Sequence, residues 1–144
     1  MGTLRLAAGT IYLDTVAIIY SVEKHVDYYP LLQPLWQAVK ARQVEVASSE
    51  LTLLETLVVP LRLKDQLLIT AYEQALTQAE LWLAAISPDI LRSAAQLRAD
   101  IKLKTPDAIH AATALAIGCT QFITNDPAFK RISQLNVTVL SEVI

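Results

Sequence analysis

Glycine is scarce in this chain. Only three occur in 144 residues, Gly2, Gly9 and Gly118. They leave no glycine-rich loop to cradle a phosphate, so P-loop and dinucleotide-binding readings lack support. Cysteine is scarcer still. The single Cys119 excludes an intrachain disulfide and a cysteine-based zinc site. No apolar run approaches the roughly 18 residues needed to span a bilayer, although mean hydropathy is +0.39. The longest runs are Ala111 to Cys119 and Leu53 to Pro60, and Glu55 interrupts the second. No apolar segment of signal-peptide length precedes Asp14, so a cytoplasmic location is expected. Neither charge sign dominates: 12 Lys and Arg stand against 14 Asp and Glu. That balance leaves a nucleic-acid partner open, because a local basic patch can coexist with a net charge of -2. There is no internal repeat, low-complexity segment or linker, and a single domain over residues 1–144 is expected.

What is abundant is apolar sequence, 53% of the chain, cut into short pieces. Thr10–Leu13, Val44–Ala47, Leu81–Ile86, Gln121–Thr124 and Val137–Leu140 read as strands. Helical spacing or start signals mark Thr15–Val22, Tyr29–Arg42, Glu50–Val59, Asp65–Gln78, Pro88–Lys102 and Thr105–Gly118. Pro60 is expected to stop the third helix and Gly118 to close the last. Short apolar strands alternating with helices of this length predict an α/β fold. The expected form is a three-layer α/β/α sandwich around a mainly parallel sheet.

Asp14, Glu55, Asp107 and Asp126 each lie at or just past a predicted helix start. Singly, each has a plain reading. Asp14 and Asp126 suit N-caps, and Asp107 suits the first turn of a helix opened by Thr105-Pro106. Glu55 closes a capping-box pattern with Thr52, or else lies a turn and a half inside the helix on or beside a buried face, where a lone carboxylate is costly unless neutralised or paired. Together they have another reading. In a doubly wound sheet, strand ends and helix starts share one edge, where ligands bind at the reversal of strand order. Carboxylates gathered there repel unless a hard cation neutralises them. All-oxygen donors favour Mg²⁺ or Mn²⁺ over Zn²⁺. Such a cluster suits metal-assisted phosphodiester hydrolysis. No Ser/His/Asp nucleophile arrangement competes. His110, three residues past Asp107, is either a packed helix residue or a neighbour of the site. Arg98 and Lys102 are expected on one helix face, with Arg92, Lys104, Lys130 and Arg131 nearby, either to bind RNA phosphates or simply to face solvent.

Four segments carry a resemblance: Ile11-Tyr-Leu-Asp14-Thr15, Ser49-Glu-Leu-Thr52-Leu-Leu-Glu55, Thr105-Pro-Asp107-Ala-Ile-His-Ala-Ala112 and Ile123-Thr124-Asn-Asp126-Pro-Ala-Phe129. In order and spacing they resemble the PIN-domain nucleases, most of all the VapC-type toxins of bacterial toxin–antitoxin pairs. The resemblance runs from about Thr10 to the C-terminus. It implies a Mg²⁺- or Mn²⁺-dependent endoribonuclease whose metal and catalytic acids match Asp14, Glu55, Asp107 and Asp126. Glu50 is an alternative glutamate that the pattern disfavours. Thr15, Thr124 and Asn125 match supporting groups around metal or substrate. The resemblance also implies a small antitoxin partner and a homodimer; Tyr20, Tyr28, Tyr29 and Trp36 are interface candidates or ordinary core filling. Val16 departs from the asparagine that many members carry two residues after the first acid. That departure keeps an alternative open, an inactive PIN-like module that binds RNA or protein without turnover. It also argues against a haloacid-dehalogenase-type site, which needs an aspartate at that position.

Overall fold

The computed structural model describes residues 2–143. Five strands form one parallel sheet: β1 (Gly9–Leu13), β2 (Val44–Ser49), β3 (Leu81–Ala84), β4 (Gln121–Thr124) and β5 (Val137–Val139). Their order is β3-β2-β1-β4-β5. The helices are α1 (Thr15–Val22), α2 (Tyr29–Lys40), α3 (Leu51–Leu63), α4 (Gln66–Thr77), α5 (Pro88–Asp100) and α6 (Thr105–Ala116). A 3-10 turn spans Pro127–Arg131 and another Leu140–Glu142. No helix among the described residues is long and apolar enough to cross a membrane.

The sheet is buried on both faces, which explains why its strands read as continuous apolar runs. The period-2 alternation of β1 divides the core. Ile11 and Leu13 face a cluster with Ala17 and Ile18 of α1, Leu32 and Leu35 of α2, and Tyr72 and Leu76 of α4. Tyr12 faces the other way, into a cluster with Ile90 of α5, Ala111 of α6, Phe122 and Phe129. The alanine-rich side of α6 lets that helix lie close to the sheet.

The first three strands march outward from β1, and the chain then crosses back to lay β4 against β1's free side. Strand order therefore reverses between β1 and β4. Ile11 pairs with Val46 on one side and Gln121 on the other. In a doubly wound sheet this reversal opens a crevice at the carboxyl edge.

Several expected boundaries moved. Helix α3 does not stop at Pro60 but runs on to Leu63. Proline in the last turns forfeits only the bond to the Thr56 carbonyl, and the helix ends where Lys64 turns left-handed at φ 55°. The Asp65 N–H then closes on the Pro60 carbonyl at 2.9 Å. Asp65 also caps α4 through the Leu68 N–H, 3.2 Å away. Strand β3 ends at Ala84, short of Ile86, and β2 extends to Ser49. Gly118 does close α6, at φ +67°. Helix α5 ends at Asp100, so Lys102 lies beyond it and does not share a helix face with Arg98.

Candidate active site

Asp14 ends β1 at the strand reversal. Its N–H donates to the Ile123 carbonyl of β4 at 2.9 Å, which holds the backbone in register as the chain leaves the sheet. Its carboxylate does cap α1, accepting from the Thr15 N–H at 2.9 Å. It accepts as well from the Thr124 hydroxyl at 2.7 Å. Thr124 Oγ1 in turn accepts from the Asp126 N–H at 3.1 Å. Asp126 caps the 3-10 turn through the Ala128 N–H, 2.9 Å away. The hydroxyl of Thr124 thus links the two aspartates across the β1/β4 crevice.

Glu55 is not a capping-box member. Glu50 precedes the first turn of α3 as its N-cap, with no side-chain cap bond. Thr52 instead bonds sideways, to Ser48 Oγ at 2.8 Å and Thr15 Oγ1 at 3.0 Å. Glu55 therefore lies inside the helix, and its Oε1 accepts from Thr15 Oγ1 at 2.8 Å and His110 Nε2 at 2.7 Å. Glu50 points elsewhere, its Oε1 3.4 Å from the Ile86 N–H.

His110 is both a packed, buried residue and a neighbour of Asp14 and Glu55. It is 1% exposed, with Nδ1 2.6 Å from the Tyr12 hydroxyl and Nε2 3.8 Å from Asp14 Oδ1. Asp107 lies one turn before it on α6. One buried hydrogen-bond network thus joins β1, β2, α1, α3 and α6 beneath the acids, and no buried side-chain polar atom among the described residues lacks a partner.

The electrostatics reflect this crowding. Burial raises the pKa of Asp14 above the ordinary carboxylate value, and Glu55 adds to the rise. His110 and the donors Thr124 and Thr15 oppose it without cancelling it. Burial also raises Asp107, with further repulsion from Asp14, Asp126 and Glu55. Glu55 goes the other way: burial pushes it up, but the bonds from His110 and Thr15 outweigh that and hold it below 4.5. The four acids therefore share one electrostatic neighbourhood. Among the described residues, however, no three His, Cys, Asp or Glu side chains converge as a closed set of metal ligands. The donor set itself, four carboxylates and no sulfur, is the chemistry of a hard divalent cation.

The other expected site residues fall outside this network. Asn125 bridges elements: its Nδ2 donates to Tyr20 Oη at 3.0 Å and its Oδ1 accepts from the Ser141 N–H at 2.8 Å, which holds the strand-to-turn segment before Asp126. Arg98 donates through Nε to the Leu103 carbonyl at 3.0 Å and ties down the α5–α6 connection. Arg92 pairs with Asp89, and Lys130 with Glu142. Tyr20, Tyr28 and Trp36 pack against the core as partly buried rings. A groove of about 600 Å³ between α1, α2 and α4 is lined by Tyr29 and Trp36 but contains none of the four acids. The charged groups meet at the sheet edge, away from this groove.

Tyr12 and Ser48 were not singled out in the sequence. A signal for Tyr12 existed: a tyrosine inside a doubly buried strand needs a partner for its hydroxyl.

Comparison with known proteins follows the same outline. The PIN domain family matches residues 11–135. No curated protein matches. Among solved structures, a chain of VapBC2 from Rickettsia felis, bound to a DNA fragment from its promoter, is 22% identical with a TM-score of 0.74. That match covers 90% of this chain and 98% of the other. A chain of a toxin–antitoxin complex from Klebsiella pneumoniae is 26% identical with a TM-score of 0.63, covering 90% and 96%. A chain of VapBC-5 from Mycobacterium tuberculosis is 20% identical with a TM-score of 0.57, covering 93% and 98%. With its acids at the strand reversal and the family's match over most of its length, the chain belongs to the PIN domain family and has the fold of chains found in VapBC toxin–antitoxin assemblies.

Proposed function

We propose that this chain is a toxin-type, metal-dependent endoribonuclease acting in the cytoplasm. The observation that carries the reading is the approach of Asp14, Glu55, Asp107 and Asp126 to the β1/β4 crevice, where burial first, and then repulsion from the other three acids, raises Asp107. Acids that repel one another, with Asp14 buried and Glu55 and Asp107 half-buried, are poorly arranged for stability and well arranged for a cation. Among the described residues, Asp14, Glu55, Asp107 and Asp126 do not converge without an ion; they are the residues that would close on Mg²⁺ or Mn²⁺, which when bound would acidify a water and polarise a phosphoryl oxygen. The chain's own groups do the rest. Thr124 and the Thr15 N–H hold the Asp14 carboxylate in place. His110 and Thr15 occupy one oxygen of Glu55 and leave Oε2 without a hydrogen bond among the described residues. Lys104, beside the first turn of α6, and Arg131, after Asp126, are exposed cations available to RNA phosphates. Asp14→Asn is expected to abolish Mn²⁺-dependent cleavage of RNA while circular dichroism reports an intact fold; full cleavage by that variant rejects the assignment.

A second reading, a PIN-like module that binds RNA or protein without turnover, draws on Val16, an apolar residue beside Thr15 where many members carry a polar one. Mn²⁺ titration calorimetry separates the two. Absence of binding at millimolar metal, with no cleavage of any RNA tested, favours the module.

Partners follow from the same family. A small cognate antitoxin is proposed by analogy with the assemblies of the similar chains. A homodimer has its own support in α3. Its inward face buries Thr52, Thr56 and Pro60, yet its outward face is also apolar, with Leu54 61%, Val58 42% and Leu61 57% exposed. A helix apolar all round is normally covered. Val59 and Leu63 of α3 and Leu67 of α4 are exposed as well, at 50%, 68% and 88%, and exposed apolar groups of this kind suit an interface.

A further inference from the structure

We propose that the connector between α5 and α6 is a track for consecutive phosphates of the RNA strand, with Lys102 and Lys104 as its two contacts and Arg98 as its anchor. The proposal rests on the nuclease reading for the identity of the strand and adds where that strand lies.

The connector covers residues 101–104, between the end of α5 at Asp100 and the start of α6 at Thr105. It has no regular structure, yet it is fixed. Leu103 is 6% exposed and belongs to the core cluster with Ile90 and Ala94 of α5 and Ala108 and Ala111 of α6. Its carbonyl accepts from Arg98 Nε at 3.0 Å. The Ile101 N–H donates to the Leu97 carbonyl at 2.8 Å, and the Lys104 carbonyl accepts from the Ala108 N–H at 2.9 Å, so both ends are tied to helices. The backbone is extended at Ile101 (φ -133°, ψ 141°) and at Lys104 (φ -70°, ψ 154°).

Exposure alternates along this segment. Lys102 and Lys104 are exposed, and Leu103 between them is buried. Successive side chains of an extended chain point to opposite sides, so burying Leu103 turns both lysines outward together. Their backbone roots lie roughly 6–7 Å apart, close to the through-space separation of successive phosphates along one nucleic-acid strand. Lys104 immediately precedes α6, and Asp107 lies in the first turn of that helix, so the pair leads toward the acids.

The charges are not committed elsewhere. Neither lysine makes a side-chain ion pair among the described residues, whereas Arg92 pairs with Asp89 and Lys130 with Glu142. Asp100, the acid nearest in sequence, turns both oxygens to Gln96 Nε2, at 3.0 and 3.1 Å. Contacts of this kind position a strand without reading its bases.

Binding of an unpaired RNA oligonucleotide to the metal-free protein, followed by fluorescence anisotropy over a salt series, tests the track. Each phosphate contact to a single strand contributes about 0.7 to the slope of log affinity against log salt. Lys102→Gln combined with Lys104→Gln is expected to flatten that slope by about 1.4, equally for RNAs of different base sequence. Lys40→Gln combined with Arg42→Gln removes the same charge at the opposite edge of the sheet, ahead of β2, and is expected to leave the slope unchanged. In Mn²⁺-dependent cleavage, the first pair of substitutions is expected to raise KM for RNA. Equal flattening by both pairs, no flattening by the Lys102 and Lys104 pair, or no RNA binding by the wild type overturns the proposal. The two readings fail separately. RNA bound with the expected change of slope but never cut removes the nuclease and keeps the track, and RNA cut with an unaltered slope does the reverse.

Discussion

Thr15→Val probes the site with the least disturbance of shape. Valine matches threonine in volume and branching, so α1 and its packing are expected to persist. What disappears is Oγ1, an 8% exposed residue's hydroxyl that touches Glu55 at 2.8 Å, Thr52 at 3.0 Å and His110 at 3.1 Å. Thr52 keeps Ser48, and His110 keeps Glu55, so two of the three contacts have replacements. The unreplaced one is a hydrogen bond to a carboxylate, worth about 1.5–3 kcal/mol. Glu55 is 28% exposed, and water recovers part of it, which favours the lower end, about 1.5 kcal/mol. For a chain of this length that is a fall in Tm of roughly 6 °C.

The pH dependence sharpens the test. Glu55's folded pKa is held below 4.5, partly by Thr15. A depressed carboxylate stabilises the fold above its unfolded pKa, and that contribution is lost as pH falls through the folded value. The penalty of Thr15→Val is therefore expected in full at pH 7 and reduced below about pH 4. Urea unfolding at both pH values measures it, and Thr15→Ser, which keeps the oxygen, is expected to restore most of the loss. A Thr15→Val protein within 0.5 kcal/mol of wild type at pH 7 refutes the energetic reading of this hydroxyl.

Other outcomes follow from the same geometry. Asp14 has a raised pKa, so its contribution to metal-free stability declines as pH rises from about 3.8 through the folded value. Asp14→Asn is accordingly expected to unfold, without metal at pH 7, no earlier than wild type in a thermal scan. Millimolar Mn²⁺ is expected to raise the Tm of wild type by relieving repulsion at Asp107, and to leave Asp14→Asn unchanged; equal shifts in both place the cation elsewhere. Leu54→Glu with Val58→Glu is expected to convert a dimer into a monomer by light scattering, and a wild type already monomeric at high concentration removes the second-copy reading of α3. Phe129→Ala, in a fully buried ring contact with Phe122, is expected to cost about 3–5 kcal/mol in chemical unfolding.

The sequence alone determined the alternation of strands and helices, because periodicity and helix-start residues are local properties. It also picked out Asp14, Glu55, Asp107 and Asp126, because acids at strand ends and helix starts in an α/β chain fall on one edge. Where competing local signals met, it erred or stayed open. Pro60 looked like a stop, but a proline in the last turns loses a single bond, and the tertiary position of α3 carries it on to Leu63. Thr52 and Glu55 looked equally like a capping box, and the answer depended on Thr15 and His110 arriving from 40 and 55 residues away. Lys102 looked like a helical neighbour of Arg98, until the end of α5 at Asp100 separated them. Only the tertiary structure could decide that β4 lies beside β1, and that decision brings Thr124 onto Asp14 and Tyr12 onto His110. A hydrogen bond is directional and reaches about 3 Å, so no spacing along the chain encodes a partner set that forms only when the sheet closes.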